Sequence, residues 1–175
     1  MIAICATLWR ALRPTLHRTS IRREATAMYV HRLLKAFDVR DGHALRLLIS
    51  HGSIRVAVLT GRRADLVQRR CRELSIAPVV GSSREKGAAL ERMCTDLSIP
   101  LAETAYMGDD VNDLPALRLA ALSCAPADAA PEVLREARWV AAHRAGRGAV
   151  RELCELLLAA TVGWPPPEDI PAPQG

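Results

Sequence analysis

The sequence has few aromatic residues, no long apolar run and no pair of cysteines at metal-binding spacing. Half of its 175 residues are hydrophobic, but only three Trp, two Tyr and one Phe occur, so the core must be aliphatic. No run of 18 apolar residues is present, and we therefore expect no membrane-spanning helix. The five cysteines are widely spaced without a Cys-x-x-Cys pair, which favours reduced, buried thiols in a cytoplasmic protein over a zinc site.

Acidic residues are almost absent from residues 1–34. This segment holds six of the 24 basic residues and one of the 19 acidic residues, Glu24, so the net charge of +5 arises there. The rest of the chain carries 18 charged side chains of each sign, which argues against a basic nucleic-acid-binding face. Residues 1–9 have no basic n-region and no small-residue cleavage site, so we predict no signal peptide and a cytoplasmic protein.

Short apolar segments alternate with amphipathic segments from residue 34 onwards. Strands are predicted at 34–39, 54–59, 77–81, 104–107, 122–125 and 139–141. A turn is predicted at 40–42, and helices at 43–51, up to residue 74, at 84–97, up to residue 120, at 131–137 and at 149–161. This alternation predicts an α/β fold with a three-layer, doubly wound parallel sheet. We divide the chain into an atypical segment 1–33, one domain 34–161 and a proline-rich tail 162–175.

Side chains suited to phosphate chemistry follow three of the predicted strands. Thr60-Gly61-Arg62 follows the second strand, Lys86 begins the buried stripe of the next helix, and Gly108-Asp109-Asp110-Val111-Asn112-Asp113 follows the fourth strand. Open α/β sheets bind their ligands at the carboxyl ends of strands. A hydroxyl, an ammonium and carboxylates that suit Mg²⁺ together form a phosphoryl-transfer site. The acidic loop alone would fit a solvated turn with a helix N-cap, but Thr60 and Lys86 favour the site.

Five segments are similar to the haloacid dehalogenase superfamily of phosphatases. They are Val-Arg-Asp-Gly (39–42), Thr-Gly-Arg-Arg (60–63), Lys-Gly (86–87), Gly-Asp-Asp (108–110) and Gly-Arg-Gly-Ala-Val-Arg-Glu (146–152). Within the superfamily, residues 34–160 resemble the 3-deoxy-D-manno-octulosonate 8-phosphate phosphatase family. The resemblance implies a haloacid dehalogenase-like fold without a large cap domain. It also implies a homotetrameric phosphoric monoester hydrolase that uses Mg²⁺ on this sugar-acid phosphate in lipopolysaccharide synthesis.

The resemblance further implies roles for single residues. Thr60 would hydrogen-bond the phosphoryl oxygens, and Lys86 would neutralise the phosphate and the nucleophile. Asp109 would bind Mg²⁺, while Asp110 and Asp113 would orient the metal's water ligands and Lys86. The predicted catalytic residues are therefore Thr60, Lys86 and Asp113, and the predicted metal ligands are Asp109 and Asp110.

The sugar acid would be bound mainly by basic residues. Arg62, with the neighbouring Gly61, would reach its negatively charged groups. Arg40 and Arg147 are further candidates, because a guanidinium fork matches the two oxygens of a carboxylate or phosphate.

The sequence departs from the family at the nucleophile. Members of the superfamily begin with a strand ending in Asp-x-Asp-Gly, whose first Asp attacks phosphorus and whose second acts as general acid and base. No Asp-x-Asp occurs in residues 1–40, and the family's flap hairpin is not recognisable there. We therefore expect phosphatase activity at or near background.

Two explanations for this departure are open. The Arg-rich start resembles translation of a GC-rich gene in a wrong reading frame. A divergent paralogue would instead be a non-catalytic pseudo-phosphatase or an interaction subunit. In either case, loss of the first strand would leave two strand edges unpaired and a marginally stable product, unless Met1–Leu8 supplies a substitute strand.

Overall fold

A six-stranded sheet organises the part of the chain that the structure describes. The structure is a computed structural model, and it describes residues 2–6, 37–51, 54–61, 65–81 and 83–164. In chain order, the strands are β1 (Ile2–Ala6), β2 (Ile54–Leu59), β3 (Val79–Val80), β4 (Thr104–Met107), β5 (Leu122–Ala125) and β6 (Trp139–Val140). Their order across the sheet is β3-β2-β1-β4-β5-β6.

The direction of β1 distinguishes it from its neighbours. β1 is antiparallel to both β2 and β4, with Ile4 opposite Val56 on one side and Ala105 on the other. The pairs β2–β3, β4–β5 and β5–β6 are parallel, so these five strands share one direction. The predicted α/β fold is confirmed, with β1 as an antiparallel insertion in an otherwise parallel sheet. Within Met1–Leu8, the candidate for a substitute strand, Ile2–Ala6 form β1 and fill the position between β2 and β4, so the strand edges expected to be unpaired are paired.

Helices cover both faces of the sheet. They are α1 (Val39–Ser50), α2 (Asp65–Glu73), α3 (Lys86–Asp96), α4 (Leu114–Leu119), α5 (Pro131–Glu136) and α6 (Ala149–Thr161). Short 3₁₀ turns occur at Leu101–Glu103 and Val111–Asp113. Residues of α1, α2 and α6 pack together in one core, and residues of α3, α4 and α5 pack in a second core. The predicted three-layer arrangement is therefore confirmed.

The two cores receive alternate side chains of the central strands. In β2, Val56 and Val58 belong to the first core, whereas Ala57 and Leu59 belong to the second. This alternation follows from the two-residue period of a strand. In β4 the same rule directs Tyr106 into the second core, on the face covered by α3. The hydroxyl of Tyr106 thus lies on the side of the sheet where α3 begins with Lys86.

The predictions for residues 37–42 are wrong. A strand over 34–39 and a turn over 40–42 were expected, but helix α1 already begins at Val39. The cause is Asp38, whose carboxylate accepts a hydrogen bond from the backbone N–H of Arg40 at 2.8 Å and caps the helix. Residues 34–36 lie outside the described residues.

The other predicted elements are present, with some changes of length. β5 and α6 have the predicted bounds, whereas β3 spans two residues instead of the predicted five. Of the cysteines, Cys71, Cys94, Cys124 and Cys154 are buried thiols, as predicted. No helix among the described residues has the length and apolarity needed to cross a bilayer. Most of segment 1–33 and of tail 162–175 lies outside the described residues, so these boundaries stay predictions.

Candidate active site

Thr60 and Gly61 lie where β2 ends, next to the connection between β3 and α3. The backbone N–H of Thr60 donates to Val80 at 2.8 Å, and its carbonyl accepts from Ser83 at 3.2 Å. A Cβ atom on Gly61 would lie 3.9 Å from Cε of Lys86. The structure therefore brings Thr60, Gly61 and Lys86 together at the carboxyl edge of the sheet, as the sequence predicts.

Lys86 is a buried cation at the first position of α3. Its side chain is 2% exposed, because α3 turns the same face, with Leu90 and Met93, towards the second core. The ammonium donates to Asp113 Oδ1 at 2.8 Å and to Asn112 Oδ1 at 3.0 Å. Burial of a charge requires such partners, since an unpaired ammonium would lose its hydration without compensation. The pair fixes the position of the positive charge.

Asp113 is the centre of this hydrogen-bond network and is fully buried. Its Oδ1 atom also accepts from the hydroxyl of Tyr106 at 2.7 Å. Its Oδ2 atom accepts from the backbone N–H groups of Asp109 and Asp110, each at 3.3 Å. Both oxygens are therefore occupied by protein donors, so Asp113 positions Lys86 and the loop.

Tyr106 is a site residue that the sequence analysis missed. Burial, followed by the negative charge of Asp113, raises the pKa of its hydroxyl far above the usual value, so the group stays a proton donor. The signal was a lone hydroxyl-bearing aromatic residue in the apolar run 105–107, two positions before Gly108. A buried Tyr hydroxyl needs a hydrogen-bond partner, and Asp113 is that partner.

Gly108 allows the loop to fold onto Asp113. A Cβ atom at this position would lie 2.5 Å from Cβ and 2.7 Å from Cγ of Asp113. Its backbone N–H donates to Cys124 at 3.1 Å, which ties the loop to β5. Any side chain at position 108 would therefore displace Asp113 from its partners.

Asp109 and Asp110 are the exposed carboxylates of the loop. Asp110 Oδ1 accepts from the backbone N–H of Val111 at 2.7 Å and forms a capping box with Asp113. The carboxylate of Asp109 has no hydrogen-bond or ion-pair partner among the described residues, which leaves its oxygens available to a ligand. Within the same residues, no group of three His, Cys, Asp or Glu side chains could hold a metal. This donor set fits Mg²⁺, which proteins bind through one or two carboxylates, with water and phosphate completing the shell.

Of the residues predicted to bind the sugar acid, Gly61 lies beside Lys86, whereas Arg40 and Arg147 make other contacts. Arg62 is outside the described residues. Arg40, in the first turn of α1, pairs with Asp38 at 3.0 Å and donates to the carbonyl of Arg147 at 3.4 Å. Arg147 is exposed in the loop before α6. In the described part of the chain, the hydrogen bonds of Arg40 and Arg147 do not join the network of Lys86 and Asp113.

Comparison with known proteins identifies the family. A family model described as haloacid dehalogenase-like hydrolase matches residues 72–153. The 3-deoxy-D-manno-octulosonate 8-phosphate phosphatases of Yersinia pestis and Escherichia coli K12 are each 42% identical over 127 residues, 73% of this chain and 67% of theirs. This chain is a member of that phosphatase family. It is therefore a phosphoric monoester hydrolase by resemblance.

Solved structures of family members share the fold of this chain. The Moraxella catarrhalis phosphatase, in complex with magnesium, phosphate and a KDO molecule, is 36% identical with a TM-score of 0.70. That match covers 73% of this chain and 72% of the other. A cobalt-bound Haemophilus influenzae phosphatase is 35% identical with a TM-score of 0.70, over 73% and 74% of the two chains. The predicted family and fold class are confirmed.

The position of the family's nucleophile is occupied differently in this chain. The resemblance implies a central strand that ends in an Asp at the carboxyl edge. Strand β1 occupies the central position, but Ile2, at its start, pairs with Met107 at that edge, and Ala6, at its end, pairs with Ile54 at the opposite edge. None of the five residues of β1 carries a carboxylate.

Proposed function

We propose that this chain carries the phosphate- and metal-facing half of a 3-deoxy-D-manno-octulosonate 8-phosphate phosphatase site and turns over this substrate at or near background. The observation that supports the proposal is the buried Lys86, held 2.8 Å from Asp113, which also accepts the backbone N–H of Asp109, a residue whose carboxylate has no partner in the described part of the chain. A fixed cation next to an exposed hard-oxygen ligand is suited to a phosphate ester with a divalent metal.

In this half-site, each residue would act on the phosphoryl group or on the metal. Lys86 would neutralise the phosphoryl charge, and Thr60, with the N–H of Gly61, would hydrogen-bond its oxygens. Asp109 would be the main metal ligand, with Asp110 as the second candidate. Mg²⁺ would supply positive charge beside the phosphoryl oxygens. The magnesium and cobalt in the two related structures support a divalent metal here.

Turnover also needs a nucleophile, but the described carboxylates at the start of α1 already bind other groups of the protein. Asp38 caps α1 and pairs with Arg40, while Asp41 is buried and accepts the backbone N–H of Arg151 at 2.9 Å. Strand β1 runs antiparallel to its neighbours and ends at Ala6, at the sheet edge opposite to Asp109. Neither β1 nor the described start of α1 therefore supplies a carboxylate in the manner of the family's Asp-x-Asp.

The remaining features of the proposed function follow the family. The substrate would be a sugar-acid phosphate, the protein would be cytoplasmic and act in lipopolysaccharide synthesis, and residues 34–161 would form the phosphatase domain. A homotetramer is the proposed assembly. We propose no role for nucleic acid or membrane.

A second candidate function is a non-catalytic one. The reversed β1 restores the sheet without restoring a carboxylate, which favours a pseudo-phosphatase or interaction subunit that keeps the fold and a weak metal site. Resequencing the DNA upstream of the Leu34 codon separates the candidates. An alternative frame that encodes Asp-x-Asp-Gly supports a parent enzyme, whereas its absence supports the non-catalytic protein.

The direct test combines turnover and binding on the full chain. With 3-deoxy-D-manno-octulosonate 8-phosphate and Mg²⁺, phosphate release should stay at background and be unchanged in Asp109→Ala. Titration with inorganic phosphate and Mg²⁺ should show binding that Asp109→Ala abolishes. Asp96→Ala, which removes an exposed carboxylate at the far end of α3, should leave binding intact. Substantial turnover that disappears in Asp109→Ala would overturn the proposed inactivity, and absence of phosphate binding would overturn the half-site.

A further inference from the structure

The amino-terminal end of α6 is capped by a residue from another helix. Its own N-cap position is Gly148, which has a φ of +109° and no side chain that could accept a hydrogen bond. Asp41 of α1 fills this role, because its carboxylate accepts the backbone N–H of Arg151, in the first turn of α6, at 2.9 Å. Asp41 is 8% exposed and lies 110 positions before Arg151 in the chain.

Carboxylates also hold the loop that precedes α6, residues 141–148, which we call the arginine loop. Glu152 accepts the backbone N–H groups of Ala142 at 2.8 Å and His143 at 2.9 Å, and its carboxylate contacts the ring of His143. Asp128 accepts the backbone N–H of Ala145 at 2.7 Å. Glu152 and Asp128 therefore fix the backbone of this loop near its start and in its middle, and Asp41 holds the first turn of the helix that follows it.

The arginine loop is connected to the loop of Asp109. The carbonyl of Asp109 accepts the N–H of Ala130 at 2.8 Å, and the N–H of Ala127 donates to the carbonyl of His143 at 3.0 Å. Residues 126–130 thus bridge the two loops at the same edge of the sheet. The guanidinium of Arg147 is exposed and has no hydrogen-bond or ion-pair partner among the described residues.

These contacts hold the backbone of the arginine loop in place, while the guanidinium of Arg147 makes no hydrogen bond or ion pair within the described residues. Arg40 donates to the carbonyl of Arg147, so α1 restrains the same residue from a second direction. A guanidinium that is already positioned loses less freedom on binding a carboxylate than one on a mobile loop. The charge of Arg147 is opposite to that of the acid group of a sugar acid.

We propose that Asp41 is a positioning residue for recognition of the substrate's carboxylate. By capping α6 from α1, it fixes the arginine loop so that Arg147 meets the carboxylate of the sugar acid, while Asp41 itself does not touch the ligand. This inference rests on the proposed function for the sugar-acid substrate. It assigns the carboxylate to the arginine loop and the phosphate to the Lys86 half-site.

Separate titrations of the full chain test this division. 3-Deoxy-D-manno-octulosonate carries the carboxylate without a phosphate, and inorganic phosphate with Mg²⁺ carries the other group alone. Asp41→Ala should weaken binding of the sugar acid about tenfold, because Arg147 would no longer be held in position before the ligand binds. It should leave the affinity for phosphate within about twofold, a change too small to indicate a lost contact. Asp41→Asn, which keeps an acceptor oxygen, should retain most of the sugar-acid affinity.

A double-mutant cycle with Arg147 tests whether Asp41 acts through that residue. Arg147→Gln should weaken binding of the sugar acid, and adding Asp41→Ala should weaken it no further, since the two residues act as one unit. Additive losses would show that Asp41 acts by another route and would overturn the proposal. Equal loss of both ligands in Asp41→Ala, or unchanged affinity for the sugar acid in a folded variant, would also overturn it.

A measurement on the unaltered chain covers the case in which Asp41→Ala does not fold. Amide hydrogen exchange at residues 146–151 should slow when the sugar acid is added and stay unchanged when phosphate is added. Exchange that does not respond to the sugar acid overturns the inference. If phosphate binds and the sugar acid does not, the half-site stands and the inference fails. If neither binds, the proposed function fails with it.

Discussion

The loop Gly108–Asp113 and the start of strand β1 lie at the same edge of the sheet, but different interactions hold them in place. The loop depends on particular side chains, since Asp113 is fully buried and each of its oxygens has a protein donor. β1 is placed by backbone pairing, with four residues in register with each of its two neighbours. Backbone groups are common to nearly all residues, so sheet pairing tolerates a change of sequence that a catalytic site does not tolerate.

The direction of β1 shows the consequence of this difference. An antiparallel strand satisfies the N–H and C=O groups of β2 and β4 and removes two open edges. It also places the start of the strand at the edge where the family places a strand end. Completing the sheet and supplying a nucleophile are therefore separate requirements. Strand β1 completes the sheet but supplies no carboxylate.

The largest effect should come from breaking the buried ion pair. Lys86→Met would leave the buried Asp113 without its compensating charge, and we expect the free energy of unfolding to fall by about 3–5 kcal/mol. Arg118→Met is the matched control, because Arg118 pairs with Glu136 at 2.6 Å on the surface with 61% of its side chain exposed. Its loss should change the free energy of unfolding far less, because water screens an exposed pair. Urea denaturation of both variants measures the contrast, and equal losses would contradict it.

The next effect should come from breaking the backbone pairing of β1. Ile4 is paired with Val56 and Ala105, and Ile4→Pro removes an N–H group from a strand that has neighbours on both sides. We expect a loss of about 2–3 kcal/mol in the free energy of unfolding. Ile4→Val keeps the N–H group and should cost less. If the two variants have equal midpoints in urea, β1 does not complete the sheet in solution.

The sequence predicted the carboxyl-edge residues better than it predicted the surroundings of α1. Thr60, Lys86 and Asp113 could be found because each follows or begins a strongly periodic segment. The strand predicted at 34–39 was wrong because Phe37 and Val39 alternate with polar residues, as in a strand. Asp38, one of those polar residues, instead caps a helix with its side chain. Local pattern does not report which carboxylate will accept a backbone N–H group.

Long-range contacts were beyond what the sequence pattern could predict. The hydrogen bond between Tyr106 and Asp113 depends on how tightly Gly108 lets the loop close. The cap from Asp41 to Arg151 joins residues that become neighbours when α1 and α6 pack on the same face of the sheet. The sequence offered Met1–Leu8 as the candidate for a substitute strand but did not indicate its antiparallel direction, because an apolar segment of five residues pairs in either direction.

A smaller effect should come from removing one donor of the loop network. Tyr106→Phe deletes the hydroxyl that donates to Asp113 at 2.7 Å but keeps the ring in the second core. Because Lys86 still donates to the same oxygen, we expect a loss of about 1–2 kcal/mol in the free energy of unfolding. Phosphate affinity should also weaken, since Asp113 would hold Lys86 less firmly. A variant with unchanged stability and unchanged phosphate affinity would show that the Lys86–Asp113 pair keeps its position without the hydrogen bond from Tyr106.

The smallest effect should be a change in pH dependence at Asp41, the carboxylate that joins α1 to α6. Burial raises the pKa of this carboxyl above its ordinary value of 3.8, and the hydrogen bond from the backbone of Arg151 lowers it by less. Between the ordinary and the raised pKa, the native state binds more protons than the unfolded state. This group's contribution to the free energy of unfolding is therefore greatest below pH 3.8 and falls as the pH rises through the raised pKa.

Asp41→Asn does not titrate at this position and serves as the reference. The free energy of unfolding of the unaltered chain, relative to the variant, should fall as the pH is raised from 4 towards neutrality and then become constant. Urea denaturation of both proteins across this range measures the difference, and the titrations of exposed acids such as Glu136 cancel in it. A difference that rises with pH would mean that the hydrogen bond from the backbone of Arg151 outweighs burial. Asp41 would then be held as a charged cap at the start of α6, with the dipole of that helix as its main partner.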